Sequence, residues 1–280
     1  MNWKSLLENP RLLLPRLRRK IRLMVAPDAR AIFTLEDGSL FECALGDSTG
    51  RLLTLGVLEP TEREFVRHWL KPGDVFFDIG ANIGLFTLIA ARQVGPTGHV
   101  YAFEPSQREA AFLQRNLNLN HLTNVTIVNC AVGEKPGTAQ FGISTDGGTN
   151  SLRRNPHPQQ QIESWQSVQV TTLDEFIAAN NIQRVALMKI DVEGGEVNVL
   201  RGASRLLNSD HPPVILCEFC DLTAAGFQSS GRKLYDTFVS FGYQLYSIQE
   251  PTPTTLSPAP PKEHYDFENL VVQKPSKDQI

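Results

Sequence analysis

The run Val75-Phe76-Phe77-Asp78-Ile79-Gly80-Ala81-Asn82-Ile83-Gly84-Leu85-Phe86 decides how this chain folds. A short buried strand, Val75 to Ile79, runs into a turn bracketed by Gly80 and Gly84, and an apolar helical stretch continues from Ile83 to Val94. Glycine at the first position allows an unusual φ or a close backbone approach. At the second it lets the helix start pack tightly on the strand. Free N–H groups at such a helix start favour an anionic ligand group, and the carboxyl end of a parallel strand is the usual crevice for a bound cofactor.

The alternation continues outward. His99 to Glu104 reads as a strand and Ser106 to Asn120 as a helix, with Ser106 as N-cap and Glu109 completing a capping box. Val125 to Ala131, Val185 to Asp191 and Val214 to Phe219 read as further strands. Leu173 to Ala179 (entered through Thr172), Glu196 to Leu207 and Arg232 to Phe241 read as helices, and Tyr243 to Ile248 and Asn269 to Gln273 close the sheet. Repeated βαβ units imply a parallel sheet covered on both faces. Before the glycine turn, residues 31–58 read as short strands with a hairpin at Asp37-Gly38, and residues 60–70 as a helix opened by Pro60 and stopped by Lys71-Pro72-Gly73. Residues 142–166, rich in Gly, Ser, Thr, Asn, Pro and Gln, read as a long irregular excursion, and residues 249–268 as a proline-rich loop.

The turn chemistry narrows the ligand. No Lys follows Gly84, which excludes a phosphate-cradling G-x-x-x-x-G-K-[ST] loop, and Asn82 stands where a dinucleotide turn needs glycine. Asp78 would repel a pyrophosphate and welcome an ammonium. These features favour S-adenosylmethionine, whose methionine end carries an ammonium and a sulfonium. Glu104, 26 residues after Asp78, ends the second strand where a carboxylate can accept both ribose hydroxyls. Asn129, Cys130 and Ala131, at the end of the third, would lie beside the adenine.

DIGANIG, VYAFEP, NCAVG and LMKIDVEGGEVNVLRGA, met in that order, together resemble the FkbM-type S-adenosylmethionine-dependent methyltransferases over about residues 60–273. The resemblance implies an α/β, Rossmann-like class I methyltransferase domain with a mostly parallel seven-stranded sheet and helices on both faces. It implies O-methylation, commonly of a hydroxyl on a sugar or natural product. Cofactor contacts are expected from Asp78, Gly80, Ala81, Asn82, Gly84, Glu104, Asn129, Cys130 and Ala131. The chain divides on this reading into a 1–59 extension and a 60–280 methyltransferase domain.

Lys189-Ile190-Asp191-Val192-Glu193-Gly194-Gly195-Glu196 is the second informative run. Asp191 ends a strand beside the expected methyl group and Glu193 follows two residues on. One of them can act as general base for a hydroxyl, or the acidic cluster can hold a divalent cation. With no histidine nearby the first reading is preferred, and no metal is assigned. Part of the acidity is plain helix-start capping. By strand alternation Lys189 shares a side with Asp191 and can neutralise the cluster. The acceptor pocket is expected from the 142–166 excursion, the strand ends at Asp191 and Glu218, and the 249–268 loop. Asn150, Ser151, Glu218 and His264 are the candidate contacts, with Trp165 and His157 considered by position alone. Cys217 and Cys220 have CxxC spacing without a second pair and read as buried thiols.

Composition bounds the rest. The 280 residues are 41% hydrophobic and 20% charged with a net charge of −3, ordinary values for a folded chain without a nucleic-acid footprint. Residues 1–30 carry eight cations against two carboxylates, net +6, which leaves −9 on the remainder. This head, in which leucines alternate with cations, reads either as a solvated leader or as a peripheral membrane contact through residues 1–22. Its charges follow its apolar residues, so a signal peptide is not expected and a cytoplasmic location is. Two competing classes are a nicotinamide-dependent (NAD(P)) oxidoreductase, disfavoured by the missing G-x-G-x-x-G and Tyr-x-x-x-Lys, and a non-catalytic S-adenosylmethionine-binding protein.

Overall fold

The glycine turn sits at the centre of a twisted sheet in the computed structural model, which describes residues 29–145, 150–152, 162–249 and 255–275 and isolated positions 18, 21, 22 and 24–26 of the head. The basic segment 1–22 therefore lies almost wholly outside the described residues, as does His157. No helix among the described residues is long and apolar enough to cross a membrane.

Strand β3 (Val75–Ile79) leads through the turn into α3 (Leu85–Val94). Strand β4 (His99–Phe103), helix α4 (Gln107–Leu119) and strand β5 (Val125–Val128) follow. Preceding them are the hairpin β1 (Arg30–Thr34) and β2 (Leu40–Ala44), and helices α1 (Ser48–Leu55) and α2 (Pro60–Trp69). Following them are β6 (Ala131–Val132), β7 (Gly137–Ser144), β8 (Ile162–Thr171), α5 (Leu173–Ala179), β9 (Leu187–Ile190), α6 (Glu196–Arg201), α7 (Ser204–Leu207), β10 (Val214–Phe219), α8 (Asp221–Ala224), α9 (Gly231–Ser240), β11 (Gln244–Ile248), β12 (Leu256–Pro258) and β13 (Glu268–Gln273).

The main sheet runs β12-β11-β13-β10-β9-β3-β4-β5. The β5-β4-β3-β9-β10 pairings are parallel and β13 is antiparallel to both neighbours. It has eight strands where seven were expected, because β12 in the proline-rich loop pairs back on the edge strand β11. Connections leave β3 and β9 in opposite directions, so the crevice between their carboxyl ends is the topological switch point at which α/β sheets bind ligands.

Alternation along each strand builds one core per face. Phe77, Met188 and Ile215 meet Leu173, Val197, Leu200 and Phe238 on one side. Phe76, Leu187 and Leu216 meet Leu88, Leu113, Phe65 and Val66 on the other, and Phe41 and Cys43 of the hairpin belong to that same core. The hairpin is also held by side-chain amides. Asn120 accepts from the Leu40 N–H at 2.8 Å and donates to its carbonyl at 2.6 Å, and Asn116 does the same for Glu42 at 2.7 and 3.1 Å. Residues four apart on a helix rise about 6 Å, close to the spacing of residues two apart on a strand, so α4 stands in for a third strand.

The local signals for α4 and α5 are realised in their caps, where Ser106 accepts from the Glu109 N–H and Thr172 from the Glu175 N–H. Four readings need correction. Residues 48–55, inside the stretch read as short strands, form helix α1, whose N-terminus is capped by the Asp47 side chain accepting from the Gly50 N–H at 2.7 Å. The third strand breaks after Val128 and restarts as β6. The helix from Glu196 splits at Gly202, where a Cβ would lie 2.0 Å from the Gly133 carbonyl oxygen, and Asp174 of α5 caps the start of α7 through the Arg205 and Leu206 N–H groups. The two ends of the 142–166 excursion belong to strands: β7 and β8 pair antiparallel, joined by β6 into a separate three-stranded sheet. Polar residues on its outer face hid the inward alternation of Val168 and Val170.

Candidate functional site

Two cavities open at the carboxyl end of the sheet. The first, about 440 Å³, is lined by Gly80, Asn82, Glu104, Cys130, Ala131 and Asp191, and roofed by Phe141 of the small sheet and by Asn150 and Leu152 of the segment between β7 and β8. The second, about 590 Å³, is lined by Asp78, Lys189, Asp191 and Glu218 from the main sheet and by residues of the Ser48–Glu62 segment. Gly80, Asn82, Asp191 and Glu193 line both, so the cavities adjoin at the glycine turn.

Gly80 has φ +86°, and a Cβ there would lie 1.8 Å from the Asp191 carbonyl oxygen. The turn after β3 is thus pressed against the end of β9, and only glycine permits it. Gly84, φ +96°, serves packing: a Cβ would meet Leu113 of α4 at 2.3 Å, so it admits that helix rather than the strand, and it lines neither cavity.

Glu104 is buried at the first cavity, its oxygens accepting from the Asn82 and Ser106 N–H groups at 2.8 Å each. Burial pushes its carboxyl up to about 8. The two bonds fix the side chain and leave further acceptor capacity toward the cavity. Cys130 and Ala131 line the same wall, and burial pushes the Cys130 thiol up to about 11, so it acts there as an apolar contact. Asn129 does not line the cavity. Its amide donates to the Glu104 and Pro105 carbonyls at 2.7 and 3.3 Å, tying the ends of β4 and β5 together. Asn150 Oδ1 accepts from the Ser144 N–H at 2.7 Å, while its Nδ2 is buried with no hydrogen-bond partner among the described residues.

Lys189, 3% exposed, is the electrostatic centre of the second cavity. Its ammonium lies 2.6 Å from Asp191 Oδ2 and 4.7 Å from the Phe86 ring centroid. Burial alone would lower its pKa, but Asp191, Glu59 and Asp78 outweigh burial and hold it above its ordinary value. Asp78 is buried and accepts from the Thr87 hydroxyl at 2.5 Å; desolvation raises its pKa against the pull of Lys189. Glu218, 6% exposed, is pushed well above the usual carboxylate range by burial and by Asp191, Glu193 and Glu196. Glu196 is a loop organiser, accepting from the Gly194 N–H at 2.9 Å and the Val192 N–H at 3.3 Å. That fold holds Glu193 at φ +57°, a cost tolerated where a loop must aim a side chain.

Glu59 is the residue the sequence did not single out. It precedes Pro60 inside the presumed extension, yet lines the second cavity, accepts from Asn269 Nδ2 at 3.1 Å and sits at φ +42°. Burial pushes it up to about 7 despite the attraction of Lys189. No local pattern marks it, because its neighbours arrive through tertiary packing.

Other expectations fall away from the cavities. His264 is exposed and pairs with Asp221 at 2.6 Å and Asp266 at 2.9 Å. Ser151 pairs through its backbone with Gly142, and Trp165 lies on neither wall. The described part of the excursion roofs the first cavity, and the second takes its outer wall from residues 48–62, with Phe267 alone from the long loop among the described residues. All four cysteines are free and buried. Among the described residues no group of three or more His, Cys, Asp or Glu has a metal-holding arrangement.

Comparison with known proteins adds a family match. A family model described as the methyltransferase FkbM domain matches residues 78–245, more than half of the chain. Methyltransferase 1 of Beauveria bassiana is 33% identical over 171 residues, 54% of this chain and 66% of that protein, just under two thirds of its length. The 31-O-demethyl-FK506 methyltransferase FkbM of Streptomyces tacrolimicus is 31% identical over 59% of this chain and 73% of its own length. The 2-O-methyltransferase NoeI of Sinorhizobium fredii is 26% identical over 66% of this chain and 82% of its own.

Proposed function

Because this chain belongs to the FkbM methyltransferase family, we propose that it transfers the methyl group of S-adenosylmethionine to a hydroxyl oxygen of a glycan or natural-product acceptor. The observation that carries this is the pair of adjoining cavities, which meet at Asp191 and Glu193.

The first cavity fits the cofactor. Glu104 is a buried carboxylate with acceptor capacity for ribose hydroxyls, Cys130 and Ala131 give an apolar wall for a base, and Asn150 Nδ2, which has no partner among the described residues, can donate to the ligand. Gly80 keeps the junction open to a methionyl chain, whose ammonium would reach through it toward Asp78 on the wall of the second cavity. When bound, S-adenosylmethionine supplies an electrophilic methyl on a good leaving group. The residues have then to hold the acceptor oxygen in line, exclude water and take up a proton.

Asp191 is the proton acceptor in this reading. Lys189 pairs with one of its oxygens and leaves the other for the acceptor hydroxyl. Glu193, on both walls, orients the acceptor at the junction. Two relatives support oxygen as the acceptor atom, one named a 2-O-methyltransferase and one a methyltransferase of 31-O-demethyl-FK506.

The test is transfer of a radioactive methyl group from S-adenosylmethionine into an extract of the source cells. Label in an alkali-stable ether is the expected result. Label only in esters or amines, or binding of a nicotinamide dinucleotide without binding of S-adenosylmethionine, refutes the reading.

A further inference from the structure

The second cavity has a composition that selects among acceptors. Its walls carry Glu59, Glu62, Asp78, Asp191, Glu193 and Glu218 against one cation, Lys189, among the described residues. Glu218 is 94% buried and lines the cavity; its backbone is used in the β10–β13 pairing, while its carboxyl makes no hydrogen bond or ion pair among the described residues. Leaving a buried carboxyl without a partner costs free energy, and a ligand that donates a hydrogen bond repays it. Across the cavity, Glu59 is held in a strained backbone conformation by the start of α2. Toward the mouth the lining turns apolar through Leu52, Leu58, Val57 and Phe267, the last two 52% and 61% exposed.

Resting on the methyl-transfer reading above, we propose that this cavity takes a neutral, polyhydroxylated ring carried on an apolar body, that Glu59 and Glu218 accept hydrogen bonds from hydroxyls flanking the one methylated at Asp191, and that anionic acceptors such as uronates and sugar phosphates are excluded. The repulsion is electrostatic: an added negative charge would meet several carboxylates at short range in a partly dry cavity and gain one ammonium already paired to Asp191. The apolar rim suits the C–H face of a sugar or an attached lipid or aromatic group. Burial holds Glu59 and Glu218 toward their uncharged forms, so the repulsion comes from the remaining carboxylates of the cavity, and Glu59 and Glu218 can donate as well as accept hydrogen bonds with hydroxyls.

The experiment takes the protein, labelled S-adenosylmethionine and source-cell extract, and partitions the labelled product at neutral pH on anion-exchange and cation-exchange resins; a second extract is first passed over boronate, which retains the vicinal diols of the unmethylated acceptor. The expected label is unretained by both exchangers and is lost from the boronate-depleted extract. Glu59→Gln and Glu218→Gln should each lower its rate of formation at limiting acceptor by about tenfold, while calorimetric affinity for S-adenosylmethionine stays within about twofold. Label on the anion exchanger, or a loss of cofactor affinity in these variants with unchanged acceptor dependence, overturns this inference and leaves methyl transfer standing. Absence of label from a protein that binds no S-adenosylmethionine overturns the transfer reading and this inference together.

Discussion

The two cavities share Gly80, Asn82, Asp191 and Glu193, yet they are assembled in opposite ways. The first is built mainly from successive strand ends, with Gly80 after β3, Glu104 after β4 and Cys130 after β5, each delivered by the βαβ repeat itself. The second gathers Ser48 to Glu62, Asp78, Lys189, Glu218 and Phe267, pieces spread over more than two hundred residues and joined only by packing. On the proposed reading, the cofactor is met by chain-local geometry and the acceptor by packed pieces from distant parts of the chain. Phe41 of β2 and Ser48, Thr49 and Leu52 of α1 line the second cavity, which ties the hairpin and α1 to the proposed acceptor site.

The difference can be broken at its sharpest point by Asp191→Asn, which should lower kcat by about 10²–10⁴-fold, the usual range for a general base, and leave cofactor affinity nearly unchanged in calorimetry. Normal turnover would remove Asp191 from the chemistry. Gly80→Ala should damage both cavities at once: its Cβ would collide with the Asp191 carbonyl at a positive φ, and urea unfolding should register a loss of about 3 kcal/mol. Wild-type stability would show that the turn and β9 separate freely.

Glu104→Ala should sharpen the contrast, weakening S-adenosylmethionine by about 10–100-fold, the worth of one or two hydrogen bonds to a buried carboxylate, with little change in acceptor dependence. Asn116→Ala should act on the other side. It removes bonds to Glu42 and to the Ile83 carbonyl, so the protein should lose about 2 kcal/mol and the Glu42 amide should exchange faster while β3 amides stay protected. Equal loss of protection in β3 would mean that hairpin and sheet unfold as one unit.

The smallest effect is in pH. Burial raises Glu104 to about 8 and Glu59 and Glu196 to about 7 from an ordinary 4.5, so the folded chain holds these protons more tightly than the unfolded chain. Their contribution to stability is complete below pH 4.5 and is lost as pH rises through about 7 to 8. His99, lowered by burial, works oppositely below its ordinary 6.5, one group against three. The Tm of the ligand-free protein should therefore fall between about pH 5 and pH 8. The fall should be shallower in Glu104→Gln, and a flat profile in the wild type would refute the burial of these carboxyls.

What could be read in the sequence follows the same division. The alternation of apolar strands and capped helices is written in local periodicity, so β3 to α4, α5 and β10 lie close to where the residues put them. Glu104 was legible because a strand end has a fixed place in the sheet. His264 was misleading because loop position says nothing of partners, and Asp221 and Asp266 claim it. Asn129 was assigned to a cavity from its strand end, but its amide is spent on two backbone carbonyls. The β7–β8 pair was hidden because strands with a polar outer face lack the apolar run that marks a core strand.

By itself the sequence determined the glycine turn, the order of strands and helices from β3 to α4, the acidic strand end and the likeness to one methyltransferase family, since each depends on residues near one another in the chain. Only the tertiary structure decided which carboxylates surround Lys189. Burial and long-range charge set that group, and Glu59 reaches it through the docking of α2 against the sheet rather than through any spacing along the chain.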